Sequence, residues 1–311
     1  MELARLNKTA QIARFAGQAA SRTLPPTDLD PLEALLARHP RASPFTELLL
    51  ATLLLRLELT AWQQALSLPL PGVLHKRKDR NGELLSEVLG YVYHPWVYAC
   101  EPFARFLDTY GPRHPLDYLF LGLNPGPWGM TQTGIPFTDP TTVRTHLKLS
   151  GQVNTPGGTS PRVPVTGLDS KKKEGSAAAI SALMGRRWGS VANCYKSGYV
   201  MNFCPMFMLD DLGVNVTPAD LRVKCSAMRS LRDLCDAYLA CVVWIYRPKR
   251  VITLGKYAER RLARVLRLAG LDEIHIVPLL HPSSRARGQL ADNPLSWVEY
   301  ADAKLDEATS T

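Results

Sequence analysis

Four short apolar runs rich in strand-forming side chains, 118–123, 199–204, 251–254 and 274–280, recur along the second two-thirds of the chain with helical segments between them. Strands that alternate with helices are joined by crossovers and pair in parallel, which puts helices on both faces of the sheet. The expected architecture is α/β: three layers, α/β/α, around a short, mostly parallel four-stranded sheet. Ligands of such sheets sit beyond the carboxyl ends of the strands. The runs end at or near Asn124, Asn202, Gly255 and His281, so small or polar groups and an imidazole are expected to converge on one edge.

The helical segments are 44–67, with leucines at helical spacing and ended by Pro69, Pro71 and Gly72, then 177–184, 217–245, 256–268 and 294–308. The longest, 217–245, opens on Thr217-Pro-Ala-Asp220, which combines a Thr cap, Pro at the first helical position and an acid at the third. The Gly/Ser/Thr/Pro-rich stretch 150–187, with Lys171-Lys-Lys inside it, reads as mostly loop with a helix near its end. The basic stretch 75–82 reads as a solvated insertion. The turn-rich segment 23–30 reads as a linker. Residues 1–43 are therefore expected to be a largely disordered N-terminal extension, and residues 44–311 the domain. Arg5, Lys8, Arg14 and Arg22 face one acid, Glu2, in the first 23 residues. Such a segment is either a mitochondrial presequence or an untargeted extension, and the second is the expectation.

The formal net charge is +9, which points toward polyanionic partners, nucleic acid first; a merely basic enzyme remains open. The longest apolar run, 48–55, is too short to cross a bilayer, so no membrane partner is expected. Six cysteines form no C-x-x-C pair and no Cys/His group of zinc or iron–sulfur spacing, so no metal and reduced thiols are expected.

Four motifs carry the chemistry. Gly122-Leu-Asn-Pro-Gly-Pro-Trp-Gly-Met130 begins where the first strand ends. Its prolines stiffen a turn and its glycines allow close backbone approach. It matches neither the dinucleotide G-x-G-x-x-G nor a P-loop, so no nucleotide cofactor is supported. Thr133-Gly-Ile-Pro-Phe137 places an aromatic after a tight turn, either a core residue or a stacking face for a base. Met201-Asn-Phe-Cys-Pro205 puts an Asn in an apolar strand, where it is either a satisfied structural amide or a reader of base edges. His281-Pro-Ser-Ser-Arg285 is a histidine, structural by default, followed by a small, basic turn suited to phosphates.

Together these motifs resemble the single-strand-selective monofunctional uracil-DNA glycosylases, of the uracil-DNA glycosylase superfamily, over roughly residues 91–305. Tyr91-Val-Tyr-His-Pro and Glu101-Pro also fit. The resemblance implies that fold and a monofunctional enzyme hydrolysing the N-glycosidic bond of uracil and 5-substituted uracils such as 5-hydroxymethyluracil. It implies single- and double-stranded DNA as partner, a monomer, no cofactor, and base-excision repair in the nucleus, with the mitochondrion as alternative. By resemblance, Asn124 positions the hydrolytic water and His281 stabilises the departing base. Phe137 stacks, Asn202 reads the base, Gly126 leaves room beside C5, and the backbone at Leu123 and Met130 lines the pocket. Pro282, Ser283, Ser284, Arg285 and Arg287 correspond to a wedge that enters the duplex, and Arg222 and Lys224 lie in a DNA-contacting segment. Ser284 replaces the family's second proline, the wedge loop is longer, and the helix after Gly175 is alanine-rich where the family carries an aromatic pair. Two other readings of the same motifs are a mismatch-type thymine or deaminated-purine glycosylase and a non-catalytic damaged-DNA binder. A nucleoside hydrolase is a third, disfavoured by the basic charge.

Overall fold

The computed structural model describes residues 30–39, 41–76, 78, 82–222, 224–283 and 296–309. Of the segment 1–43, residues 1–29 lie outside the described residues. The part that follows is built into the protein: α1 (Pro31–Arg38) is capped by Asp30, whose carboxylate accepts from the Leu32 amide, and it buries Leu32 and Leu35 completely. Helix α2 (Pro44–Gln64) starts on Ser43, whose hydroxyl accepts from the Thr46 amide, with Pro44 in the first turn.

The strands and the longer α-helices that follow are β1 (Leu89–Tyr93), α3 (Cys100–Tyr110), β2 (Tyr118–Gly122), α4 (Gly175–Trp188), β3 (Gly198–Asn202), β4 (Phe207–Asp210), β5 (Asn215–Val216), α5 (Ser226–Tyr246), β6 (Arg250–Leu254), α6 (Lys256–Ala269), β7 (His275–Leu279) and α7 (Trp297–Thr309). The main sheet has the order β3-β2-β6-β7, all pairs parallel, with Leu121 opposite Met201 and Thr253. Its strands coincide with the four apolar runs. Helices α5 and α6 pack together, as do α4 and α7, and right-handed crossovers put these two pairs on opposite faces. Helix α2 backs α5, with Thr52 and Tyr238 hydroxyls 3.0 Å apart and the Trp62 indole donating to the Ala227 carbonyl at 2.8 Å.

Besides this ordered helix within the segment 1–43, the structure differs from expectation in two further places. The helix expected over 217–245 is interrupted. Thr217 and Asp220 do form a capping box, but it caps one 3-10 turn, Pro218–Asp220. The chain then extends, Leu221 bridges Leu74 and the Arg222 amide donates to the Val73 carbonyl at 2.8 Å, before α5 starts afresh. Burying Leu221 against residues 73–74 overrides the local helical signal. The second difference is an additional antiparallel sheet, order β1-β4-β5. Strand β4 is buried on both faces, so it lacks the alternation that marks a half-buried strand. This sheet pins the long 150–174 loop: the Tyr93 hydroxyl donates to the Val163 carbonyl at 2.9 Å and accepts from the Ser160 amide at 2.8 Å. Among the described residues no helix is long and apolar enough to cross a membrane, and no His/Cys/Asp/Glu group could hold a metal ion.

Candidate active site

Asn124 stands two residues past the end of β2 and His281 two residues past the end of β7, with β6 between the two strands. Strands spaced by nearly 5 Å put the two chain ends about 10 Å apart on one edge of the sheet. Phe137 spans part of that gap. Its ring centroid is 6.5 Å from that of His281. The same ring lies so close to Gly122 that a Cβ there would overlap it and come within 2.6 Å of the Asn202 Oδ1. Asn124, Phe137, Asn202 and His281 thus share one edge, and Gly122 is the residue whose missing side chain lets the ring settle. Phe137 is held at φ 52°, in the left-handed region that a bulky residue avoids.

The Asn202 side chain is buried, at 4% exposure. Its amide nitrogen donates to the Met130 sulfur at 3.3 Å, a weak acceptor, while its Oδ1 has no donor among the described residues. The Asn124 amide donates to the Pro125 carbonyl at 3.2 Å. The His281 Nδ1 accepts from the Ser283 amide at 3.1 Å, so the neutral ring carries its proton on Nε2. Burial pushes the His281 pKa down to about 4. The ring is therefore a neutral donor at physiological pH. Leu280, just before it, is gripped by α7: the Trp297 indole donates to its carbonyl at 2.9 Å, and the Tyr300 hydroxyl accepts from its amide at 3.4 Å.

The turn after β2 is fixed by Gln132, which is fully buried. Its amide nitrogen donates to the Pro127 and Pro164 carbonyls at 3.0 and 3.1 Å, and its oxygen accepts from the Thr166 and Gly167 amides at 2.9 and 3.2 Å. Leu123 extends the β2–β3 pairing, its carbonyl accepting from the Cys204 amide at 2.9 Å. Gly126 and Gly129 make room for Glu174, whose carboxylate accepts from the Trp128 amide at 3.2 Å. Burial raises the pKa of Glu174, an effect the Trp128 hydrogen bond opposes and nearby Asp139 reinforces. Sequence reasoning missed both Glu174 and Gln132. The two glycines were a signal that something must approach that turn, but nothing in the sequence names the side chain that does.

The residues expected at the DNA are placed unevenly. Pro282 is buried, Ser283 half-buried and Lys224 exposed. The Arg222 guanidinium is already engaged, pairing with Glu87 at 2.6 Å and donating to the Gly72 carbonyl at 3.3 Å. Ser284, Arg285 and Arg287 lie outside the described residues. A separate cleft of about 340 Å³, lined by Thr60, Gln63, His94, Tyr98 and Asn154 among others, contains none of these groups.

The family model described as the uracil DNA glycosylase superfamily matches residues 109–303. The single-strand selective monofunctional uracil DNA glycosylase of Bos taurus is 37% identical over 240 residues, covering 76% of this chain and 85% of that protein. Its namesake from Mus musculus is 36% identical over 255 residues, covering 78% and 88%. The crystal structure of wild-type SMUG2 from Pedobacter heparinus is similar with a TM-score of 0.53, covering 83% of this chain and 99% of that one. At 18% identity it speaks to the fold alone.

Proposed function

The chain belongs to the uracil DNA glycosylase superfamily, and from that premise we propose that it excises uracil and 5-substituted uracils such as 5-hydroxymethyluracil from single- and double-stranded DNA, the opening step of base-excision repair. In this reading the glycosylase domain takes in α1 together with residues 44–311 and acts as a monomer. The chemistry is hydrolysis of an N-glycosyl bond with no lyase step, and the relatives are named monofunctional uracil DNA glycosylases.

The observation that carries the reading is the orphaned, buried Oδ1 of Asn202. A buried acceptor without a donor costs about 1–3 kcal/mol, and a bound uracil removes that cost. Its N3–H donates to Oδ1, and its O4 is a better acceptor for the Asn202 amide than the Met130 sulfur. Cytosine presents an acceptor at N3 and an amino group at C4, so the same amide meets it with both polarities reversed. To reach Asn202 the base must leave the stack, and Phe137 offers the flat face on which it rests.

As the bond between sugar and N1 stretches, positive charge builds on the sugar and negative charge on the base, at O2 above all. The neutral His281 Nε2–H meets that oxygen. Donors placed on a developing anion contribute roughly 2.7–4 kcal/mol in comparable sites. A carboxamide does not take up a proton at neutral pH, so Asn124 orients water rather than deprotonating it. That suffices when the bond to the base is largely broken before water attacks.

The test is a uracil-containing oligonucleotide incubated with the protein and heated in alkali. Strand scission after heating is expected for wild type, with losses of about 10²-fold or more for Asn124→Ala and for His281→Ala. Absence of abasic sites on both single- and double-stranded substrate sinks the reading. Thymine release outpacing uracil release sinks the substrate assignment.

A further inference from the structure

The basic stretch that begins at His75 is not loosely attached to the protein. It belongs to two arms, residues 70–76 and 82–89, that run antiparallel. Leu70 and Leu89 exchange both backbone hydrogen bonds, at 2.8 and 2.9 Å, the Leu74 amide donates to the Glu87 carbonyl at 3.3 Å, and Lys78 bridges Leu84. The first arm is joined to the stretch before α5. Leu74, fully buried, bridges the buried Leu221, and the His75 amide donates to the Asp220 carbonyl at 2.7 Å. Arg222 holds the second arm through its ion pair with Glu87 at 2.6 Å, so its guanidinium is a strut rather than a free cation.

The docked arms stand on the same side of the molecule as the candidate active site. Strand β6 runs parallel to β2 and begins at Arg250, four residues after α5 ends at Tyr246. The C-terminal end of α5 therefore lies at the amino edge of the sheet. With 21 residues α5 is about 30 Å long, whereas a five-residue strand spans about 16 Å. The N-terminal end of α5, with residues 220–224 and the arms bound to them, thus stands at and beyond the carboxyl edge that holds Asn124 and His281. Packing ties it to the base pocket. The ring of Phe203, next to Asn202, is 5.9 Å from that of Tyr257, and Arg232, beside Tyr257, donates to the Leu221 carbonyl at 3.5 Å. Lys76, Lys78 and Lys224 are exposed on this platform and form no ion pair with a described residue. The neighbouring acids are engaged: Glu87 by Arg222, Asp220 by the Thr217 amide and hydroxyl, and Glu83 as well.

We propose that this platform is a DNA-backbone contact surface: Lys76, Lys78 and Lys224 bind phosphates of the duplex on one side of the extruded base, while Arg222 positions the arms without touching DNA. The proposal rests on the glycosylase reading and extends it from the base to the duplex that carries it. Each strand of a duplex presents a phosphate about every 3.4 Å along the axis, and an ammonium binds such an oxygen as a point charge. Lysines on a support already fixed by backbone hydrogen bonds and a buried leucine need little further ordering to meet that array. Backbone contacts carry no sequence information, so the platform adds affinity and register without changing which base is read. It flanks the pocket on one side, so DNA on only one side of the base reaches it.

The test measures binding across a range of salt to a duplex that already carries an abasic site, so that no excision occurs during the titration. The double variant Lys76→Gln/Lys78→Gln is compared with Lys196→Gln/Lys249→Gln. The second pair removes the same charge at the amino edge, where Lys196 precedes β3 and Lys249 precedes β6. Each lost phosphate contact lowers the slope of log affinity against log salt by about 0.9. The platform variant is expected to lose about 1.8 from the slope and about tenfold or more in affinity at physiological salt, and the control pair neither. With the abasic site near one end of the duplex and then near the other, the loss is expected for only one placement, a signature that general loosening of the fold does not give. Single-turnover uracil excision at saturating protein is expected to be unchanged in the platform variant, with the half-saturating concentration raised. A wild-type slope in the platform variant, a loss shared by the control pair, or a loss equal for both placements overturns the proposal. A wild-type protein that binds these duplexes but releases no uracil overturns the glycosylase reading instead, a failure that the binding slopes keep apart.

Discussion

At the scale of single residues, two groups set what the site can do. Gly122 is the last residue of β2, and its bare Cα is the seat of the Phe137 ring. Gly122→Ala forces that ring and the Asn202 amide apart, an overpacking that costs about 1–3 kcal/mol in a close-packed site. The expected outcome is a folded protein, with an unchanged far-UV spectrum, whose uracil excision falls about 10²-fold; activity within a fewfold of wild type would show that the ring does not carry the base. His281 is the other. Its Nδ1 is occupied by the Ser283 amide and burial holds its pKa at about 4, so its form does not change across the physiological range. Single-turnover excision is expected to be flat from pH 6 to 9 as far as this group is concerned. A rate that climbs tenfold per unit on acidification through pH 6.5 would mean that the imidazolium does the work.

At the scale of elements, the site is a loop made rigid from outside. The turn after β2 is bound through Gln132 to the 164–167 loop, and that loop is bound through Tyr93 to the small antiparallel sheet. Four hydrogen bonds converge on one buried amide, and Gln132→Leu leaves their backbone partners unsatisfied. With about 1–3 kcal/mol for each buried group left unpaired, a loss of at least about 3 kcal/mol in urea unfolding is expected. A loss under about 1 kcal/mol would show that the loop is not held by this residue. Helix α7 has the matching role for His281, gripping Leu280 from both of its backbone groups. The interruption of the expected 217–245 helix belongs to this scale too. A sound capping signal at Thr217 and Asp220 was legible, but its continuation lost to a pairing with residues 73–74, more than 140 positions away in the chain.

At the scale of the whole molecule, two histidines are kept neutral by burial, His94 fully buried and His281 partly. Burial brings His94 to about 3, with Arg56 adding to the effect, and His281 to about 4, against an ordinary value of 6.5. In the unfolded chain both take up protons below pH 6.5, whereas in the fold they do so only below about 3 and 4. The unfolded state thus binds more protons in that window, and stability is expected to fall as pH drops from 6.5 toward 4. For His281 the loss is roughly 3 kcal/mol across its shift. Urea midpoints between pH 7 and 4 check this: the fall is expected to be shallower in His94→Asn, and a wild-type midpoint independent of pH would contradict it. The main sheet was legible in the sequence because it rests on local pattern, and with it the edge on which Asn124 and His281 stand. Apolar runs specify strands, alternation with helices specifies parallel pairing, and parallel pairing sends every strand end to one edge, so Asn124 and His281 stand on that edge, while the roles given to them rest on the family resemblance. What only the tertiary structure decided was the set of partners that reach the site from elsewhere: Glu174 against Gly126, Gln132 against the 164–167 loop, α7 against Leu280. A glycine shows that space is needed without showing who fills it, and a hydrogen bond between distant segments leaves no period in the sequence, because its geometry exists only once the layers have packed.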